Sequence, residues 1–526
     1  MPRTRAGQYP RARTPLEGAP IVGMDDTLDW NVTRPNMALD LLNMYVPPGN
    51  PGRRVWGRPG LTATTGLATG VVQYLGQLRK LNGTHYTICI CGGKLYTLNW
   101  STLAWTEAVN AATFSAATIT LSTTARFHGY TLNDKLILWD GVNVAWAWDG
   151  TTNGGLTKLT AAGTPAGIPV SGPYYAKAFL AKSTERNAFI WSEEGDPTIG
   201  YENGGYLNVW SPMGGGPLRA LAATNDALFV AEENRMIRIT GAVSTDFQTS
   251  GTRSDVSETV GTKSALLVTD NGVVLLSSQG EPHIIRGGLA DMWRNCQVAT
   301  STMNLAALDK AILVEWPLLD AVLIGVPMLP NSKVSQWLVF RVSEETPRYI
   351  GRWDLGLNDT AAVVLDGDLE TSFLVGGNAD GQVYVMGSPL GSVWNDGTSE
   401  IPHQVKWQPL GADADTERHY DRLTVVLDGT ATATQVTTAY QTTRGTSMAQ
   451  TDTIAAVGGG DLLDLSFVLN TSTLALSTPE RRVVFGLNGD GRWIVPIVSH
   501  SEPGKTFGLK AVTVEAYPTG TDYTNP

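Results

Sequence analysis

The sequence predicts an all-β fold: a β-propeller of about seven blades, six or eight fitting the same count, with an extended N-terminal arm at residues 1–55 and a C-terminal β-sandwich at 401–526. Three observations lead there. A strand–turn–strand unit recurs every 40–60 residues or so, clearest at Asp226-Ala-Leu-Phe-Val-Ala-Glu-Glu-Asn-Arg-Met-Ile-Arg-Ile-Thr-Gly241, as expected of repeated blades. Only 17% of the residues are charged while Gly, Thr, Val, Leu and Trp are plentiful, which favours strands and tight turns over helices. From about Ile401 the short hairpins give way to longer alternating strands divided by Thr, Gly, Asp and Ser linkers.

The first 55 residues read as an arm. Arg3, Arg5, Arg11 and Arg13 share a stretch with three prolines and no acid, a composition that orders on a partner rather than on its own. Residues 1–60 carry eight Arg against five acids, or +3, so a chain of net charge −11 leaves −14 for the remainder. The arm therefore reads as a segment that threads onto a neighbouring subunit, with nucleic-acid contact as the alternative. Residues 36–46 are a helical turn or a strand, ended by Pro47-Pro48-Gly49-Asn50-Pro51-Gly52.

The propeller is expected over 56–400. Its hairpins are read at 85–98, 135–148, 179–191, 228–239, 273–286, 311–325 and 361–386, the sixth joined by strands at 337–341 and 348–353. A strand from Val55–Leu61 or Ser392–Asn395 would complete the last blade. The sandwich strands are read at 405–408, 422–427, 435–440, 465–469, 482–485, 493–497 and 509–517, with 443–461 a long exposed loop.

Candidate chemistry is sparse. There is no nucleophile elbow, phosphate loop or dinucleotide fingerprint; Gly214-Gly215-Gly216 runs into Pro217 and a strand rather than a helix. The six histidines, at 85, 128, 283, 403, 419 and 500, are scattered. Cys89 and Cys91 lie on one face of a strand, about 7 Å apart by strand rise, and with Cys296 read as buried free thiols. The acid pairs Glu193/Glu194, Glu232/Glu233, Asp366/Asp368 and Asp413/Asp415 fall in turns or loops, where backbone hydrogen bonding favours acids. Two carboxyls flanking one pocket would be needed for glycoside cleavage, and Asp366/Asp368 or Asp413/Asp415 could instead hold a weak Ca²⁺. Trp139, Trp148, Trp191, Trp337 and Trp353 sit inside strands and read as packing between blades rather than as a sugar platform. The apolar run 311–330 is broken by Glu315, Pro317, Asp320 and Pro327, so no membrane span is expected, and no secretory signal is seen. The sequence thus predicts no catalytic residues, cofactor or metal.

Two stretches resemble a known family. Asn43-Met-Tyr-Val-Pro-Pro48 followed by Gly57-Arg-Pro-Gly-Leu61, and then a hairpin at Cys91-Gly-Gly-Lys-Leu-Tyr96, is similar to the opening of the tail-hub or nozzle proteins (packaged-DNA-stabilisation type) of short-tailed bacteriophages. Arg186-Asn-Ala-Phe-Ile-Trp-Ser-Glu-Glu-Gly-Asp-Pro197 resembles that family's segment in the middle of the propeller. The resemblance covers roughly residues 36–290. It implies a structural virion protein, made in the host cytoplasm, that assembles as a hexameric ring below the portal and adaptor. Such a ring would conduct and help retain genomic DNA without sequence-specific binding, and would connect to tail fibres or spikes. An acidic lumen would let the duplex slide. The alternative is a propeller that binds or cleaves carbohydrate.

Overall fold

In a computed structural model the chain is described except at residues 1–13, 27–35, 49–53, 186, 202–205, 209–214, 243–251, 293, 295, 366–371, 379, 388–393, 397, 412–415, 429–432, 447–448, 455–480, 506–507 and 521–526. It forms two compact units. One comprises residues 61–348 and 354–391, the other 1–60, 349–353 and 392–526.

The first unit is the propeller. Its opening sheet runs Ala104–Val109, Lys94–Asn99, His85–Cys91 and Val72–Arg79, and the next His128–Leu132, Lys135–Trp139, Trp146–Trp148 and Leu156–Lys158. The third holds Phe179–Ala181, Ala188–Trp191 and Tyr206–Asn208. In the fourth, Leu218–Ala223, Leu228–Glu232, Met236–Thr240 and Thr252–Ser257 follow one another, with Val170–Ser171 parallel to the first of them. The fifth is Thr262–Thr269, Gly272–Ser277, Pro282–Ile285 and Leu289–Asp291, and the sixth begins Ile312–Trp316, Ala321–Val326 and Gln336–Arg341. The last sheet, Thr360–Leu365, Ser372–Gly377 and Val383–Met386, is completed by Leu61–Ala63 from the other end of the unit.

The leading strands of these sheets touch in a closed cycle: Val72–Arg79, His128–Leu132, Val170–Ser171, Leu218–Ala223, Thr262–Thr269, Ile312–Trp316, Thr360–Leu365 and back to Val72–Arg79. Strand periodicity explains how the ring holds together. In Lys135–Trp139, Leu136 and Leu138 pack toward the first sheet, against Ile88, Ile90 and Leu95, while Ile137 and Trp139 pack toward the third, against Phe179, Phe189 and Trp191. The central hairpin repeats the device: Leu228 and Val230 face that third-sheet cluster, and Phe229 and Ala231 face Leu275 and Ile285 of the fifth sheet. Alternate side chains thus bury both faces of a sheet, each large one contributing about 1.5–3 kcal/mol. Cys89 and Cys91 share one such face with Val375 and Val383, and both are free and buried. Trp139, Trp148, Trp191, Trp337 and Trp353 are all at most 1% exposed, so packing accounts for them.

The expected closing segment Val55–Leu61 contributes only Leu61 to the last sheet. Val55–Gly57 pairs instead with Met44–Tyr45 and Gly508–Gly520 in the second unit. That unit has two main sheets. One orders Arg481–Gly491, Glu417–Leu427, Gly508–Gly520, Val55–Gly57 and Met44–Tyr45, with Thr14–Glu17 also on Gly508–Gly520. The other runs Arg348–Trp353, Asp40–Leu42, His403–Lys406, Ile494–His500, Thr434–Thr442 and Gly445–Thr446. Tyr440 of the second sheet donates no space to waste: its ring fills the position a side chain on Gly489 of the first would need.

From Thr14 onward the described part of the N-terminal segment forms strands, while the expected arm around Arg3, Arg5, Arg11 and Arg13 lies outside the described residues. The segment's described strands are two to four residues long; Thr14–Glu17, Asp40–Leu42, Met44–Tyr45 and Val55–Gly57 pair within the C-terminal sheets, Gly23–Met24 pairs with Met37–Ala38, and one compact unit takes in both 1–60 and 392–526. Residues 36–46 form strands, not a helical turn. The expected loop at 443–461 contains Gly445–Thr446 and Gln450–Ile454, both paired with Thr434–Thr442. Among the described residues no helix is long and apolar enough to cross a membrane.

Candidate functional site

The leading strands of the propeller surround a cavity of about 400 Å³. Each contributes lining residues from within it or just before it, among them Leu75, His128, Val170, Arg219, Lys263, Ala311 and Thr360. The cavity is therefore a product of the ring itself, built from positions far apart in sequence.

Its lining is unusually basic for a chain of net charge −11: Arg126, Arg219, Lys263 and Lys310 stand against two carboxylates, Asp140 and Asp309. Asp140 is already committed to its own turn, accepting from the Val142 and Asn143 amides at 2.9 and 2.7 Å and from Asn143 Nδ2 at 2.7 Å. Asp309 pairs with Lys310 at 2.7 Å. Arg219 reaches Glu233 at 2.6 Å, yet its Nε is buried with no hydrogen-bond partner among the described residues. Lys263 Nζ donates to the Leu305 carbonyl at 3.3 Å and lies 3.9 Å from Glu233.

Arg126 is held by its loop rather than by a counter-charge. Gln73, 1% exposed, donates through Nε2 to the Ser122 and Ala125 carbonyls, both at 2.8 Å, and the Phe127 amide donates to the Gln73 carbonyl at 2.9 Å. These bonds clamp the loop to the first leading strand and present Arg126 to the cavity. Enclosure by protein lowers its pKa from the ordinary arginine value, with Asp309 and Asp359 opposing that from a distance. The neighbouring His128 is pushed down to about 3, first by loss of solvation and then by the charges of Arg126 and Lys310, so the imidazole is neutral at physiological pH. Chemically the cavity can attract and desolvate a compact anion.

The sequence-derived sites fall elsewhere. Arg3, Arg5, Arg11 and Arg13 lie outside the described residues, as do Asp366, Asp368, Asp413 and Asp415. Glu232 and Glu233 diverge: Glu233 pairs with Arg219, whereas Glu232 is 0% exposed and neither carboxyl oxygen has a hydrogen bond among the described residues. Burial raises the Glu232 pKa, with Asp255 acting in the same direction and Arg235 against it. Glu193 and Glu194 are exposed on a turn. Sequence reasoning missed the axial cations because each looks like an ordinary strand-end charge; only the repeated placement of a cation at or before a leading strand could have pointed to them.

No family model matches the chain, and no curated protein matches it in sequence. Solved structures with some likeness include the extracellular domain of the one-component system BT4673 from B. thetaiotaomicron, at 11% identity and TM-score 0.40, covering 72% of this chain and 45% of that one. Raptor from Chaetomium thermophilum aligns at 8% identity and TM-score 0.40, over 63% of this chain and 29% of its own. YCF48 bound to D1 peptide aligns at 8% and 0.36, over 62% of this chain and 97% of its own. The chain thus spans less than half the length of the first two, and at these scores the likeness carries over neither activity nor partners.

Proposed function

We propose that the protein is a non-enzymatic structural component of a short-tailed phage virion, assembling as a ring that conducts and helps retain the packaged genome below the portal and adaptor, and connecting to tail fibres or spikes. The observation that best supports this reading is the junction of the two halves of the family-like opening. Asn43 and Arg58 are hydrogen-bonded to each other and, through Asp396, to the far end of the chain. The motif therefore lies just before Leu61, where the propeller unit begins, and this supports the reading.

The carbohydrate alternative calls for paired carboxylates and exposed tryptophans converging on one face. Glu232 and Glu233 diverge, and the five strand tryptophans are buried. The acidic remainder of the chain suits a conduit, since like charge keeps a duplex from sticking. Sedimentation of the purified full chain tests the reading together with a glycan-binding screen. A particle of about six 56.3 kDa chains without glycan binding is expected; a glycan-binding monomer would replace it with the alternative.

A further inference from the structure

We propose that the axial cavity of the propeller is a binding site for a small phosphate-bearing molecule, anchored by Arg126 with Lys263, Arg219 and Lys310. This goes beyond the structural role above and does not depend on it.

Three observations carry the inference. First, the cavity, about 400 Å³, falls in the size range of small-ligand pockets, roughly 300–1,000 Å³, and is formed by residues from every leading strand of the ring. Second, its charge is complementary to a multivalent anion. Four cations line it against two carboxylates; Asp140 is used up by its turn, Asp309 pairs with Lys310 and Glu233 with Arg219, which leaves Arg126 as the lining cation without an ion pair among the described residues. Third, one donor is held ready but underused. No hydrogen bond or ion pair joins Arg126 to another described residue. A half-buried guanidinium offset only by the distant Asp309 and Asp359 gains from an anion brought beside it. The Gln73 clamp keeps Arg126 in place.

Phosphate is favoured over carboxylate because the Arg126 fork, with the charges of Lys263, Lys310 and Arg219 around it, matches a tetrahedral dianion, and arginine binds such groups through parallel N–H donors. Neutral His128 beside Arg126 leaves one ring nitrogen to accept from, or donate to, a hydroxyl on the same ligand. A phosphorylated sugar or polyol therefore fits the lining better than inorganic phosphate alone.

Calorimetric titration of the full chain at low ionic strength, with glucose 6-phosphate, inorganic phosphate, succinate and glucose as separate probes, tests this. Saturable binding of glucose 6-phosphate is expected, with weaker binding of inorganic phosphate and none of glucose. Arg126→Gln and Lys310→Gln should each weaken the glucose 6-phosphate affinity at least tenfold, while Lys94→Gln, at a remote surface ion pair with Glu107, leaves it unchanged. Lys310 is 56% exposed, so its variant keeps the fold and the test stands even where Arg126→Gln perturbs the loop. Absence of saturable binding to either phosphate probe, tighter binding of succinate than of both, or undiminished affinity in Lys310→Gln and Arg126→Gln would overturn the proposal.

Discussion

Arg58 Nε donates to Asn43 Oδ1 at 2.9 Å, and the Arg58 amide donates to the Asn43 carbonyl at 2.9 Å, so one residue satisfies both the side chain and the backbone of the other. Arg58 is 0% exposed and completes its fork on Asp396, at 2.9 and 2.5 Å. Asn43 in turn donates to the Pro402 carbonyl at 2.9 Å and takes φ +53°, a left-handed conformation that asparagine tolerates better than most residues. The N-terminal segment is thereby tied to residues more than three hundred positions away. Gly60 continues the constraint, because a side chain there would enter the Asn395 backbone.

Arg58→Met should therefore destabilise the second unit by about 3 kcal/mol, since it strands Asp396 and the Asn43 amide. Arg58→Lys should recover little, because a single ammonium cannot reproduce the fork. Asn43→Gly keeps the backbone conformation and loses only the side-chain bonds, whereas Asn43→Ala adds roughly 1–2 kcal/mol of left-handed strain. Urea denaturation of these variants, with the Asn43→Gly/Arg58→Met double mutant to measure coupling, checks the ordering.

Ring closure gives a second test. Thr64, just beyond the closing strand, donates through Oγ1 to the Val383 carbonyl at 2.8 Å and accepts from Trp105 Nε1 at 2.8 Å. Thr64→Val preserves shape and orphans a buried indole N–H, while the Val383 carbonyl keeps the Thr64 amide and Gln382 Nε2. A loss of about 1–3 kcal/mol in propeller stability is expected, read as a lower thermal midpoint, with Thr64→Ser restoring most of it.

Glycines around the central hairpin separate close packing from mere flexibility. A methyl group on Gly261 would run into the Glu232 carbonyl and the Arg235 amide, backbone atoms that cannot step aside. Gly288 has open space around the same position and no left-handed φ. Gly261→Ala should lower the thermal midpoint by several degrees while Gly288→Ala changes it little.

Buried imidazoles set the acid limit of stability. His128 and His403 are pushed down to about 3 and His500 to about 4, each chiefly by burial. A histidine whose folded pKa lies below its unfolded value near 6.5 is neutral in the fold while the unfolded chain takes up a proton. Stability is then full above about pH 6.5 and falls as pH drops toward 3. The nearly inaccessible His403 and His500, 1% and 2% exposed, each contribute up to about 1.4 kcal/mol per pH unit within that window. Glu315 acts with the opposite sign. Burial, with Asp270 and Asp320 nearby, raises its pKa to about 7, so its share of stability is lost as pH rises from 4.5 through 7. His500→Gln should flatten the acid limb, and Glu315→Gln should be more stable than the native chain at pH 8 but not at pH 4, both by denaturation across pH.

The hairpins were legible because short apolar strands such as Leu228–Glu232 and Met236–Thr240 are flanked by Gly, Asn and Asp, which serve turns and little else. The first strands of some sheets were not: Val170–Ser171 is two residues long and carries no period. The same limit hid the N-terminal strands Gly23–Met24, Met37–Ala38 and Met44–Tyr45, whose partners lie near in one case and at the opposite end of the chain in another. Asn43 and Arg58 were legible as a motif but not as a pair, since nothing local says that an arginine after a proline-rich break returns to the asparagine before it. Arg126 and Lys310 become neighbours only when the ring closes, and sequence spacing contains no trace of that.

Electron-microscope class averages of the purified full chain, at concentrations that favour assembly, test the central claim most directly. The account predicts six-fold rings with a central opening of duplex width, about 20–40 Å given the dimensions of B-DNA. Isolated 56.3 kDa particles at every concentration, with no ring class, would contradict it.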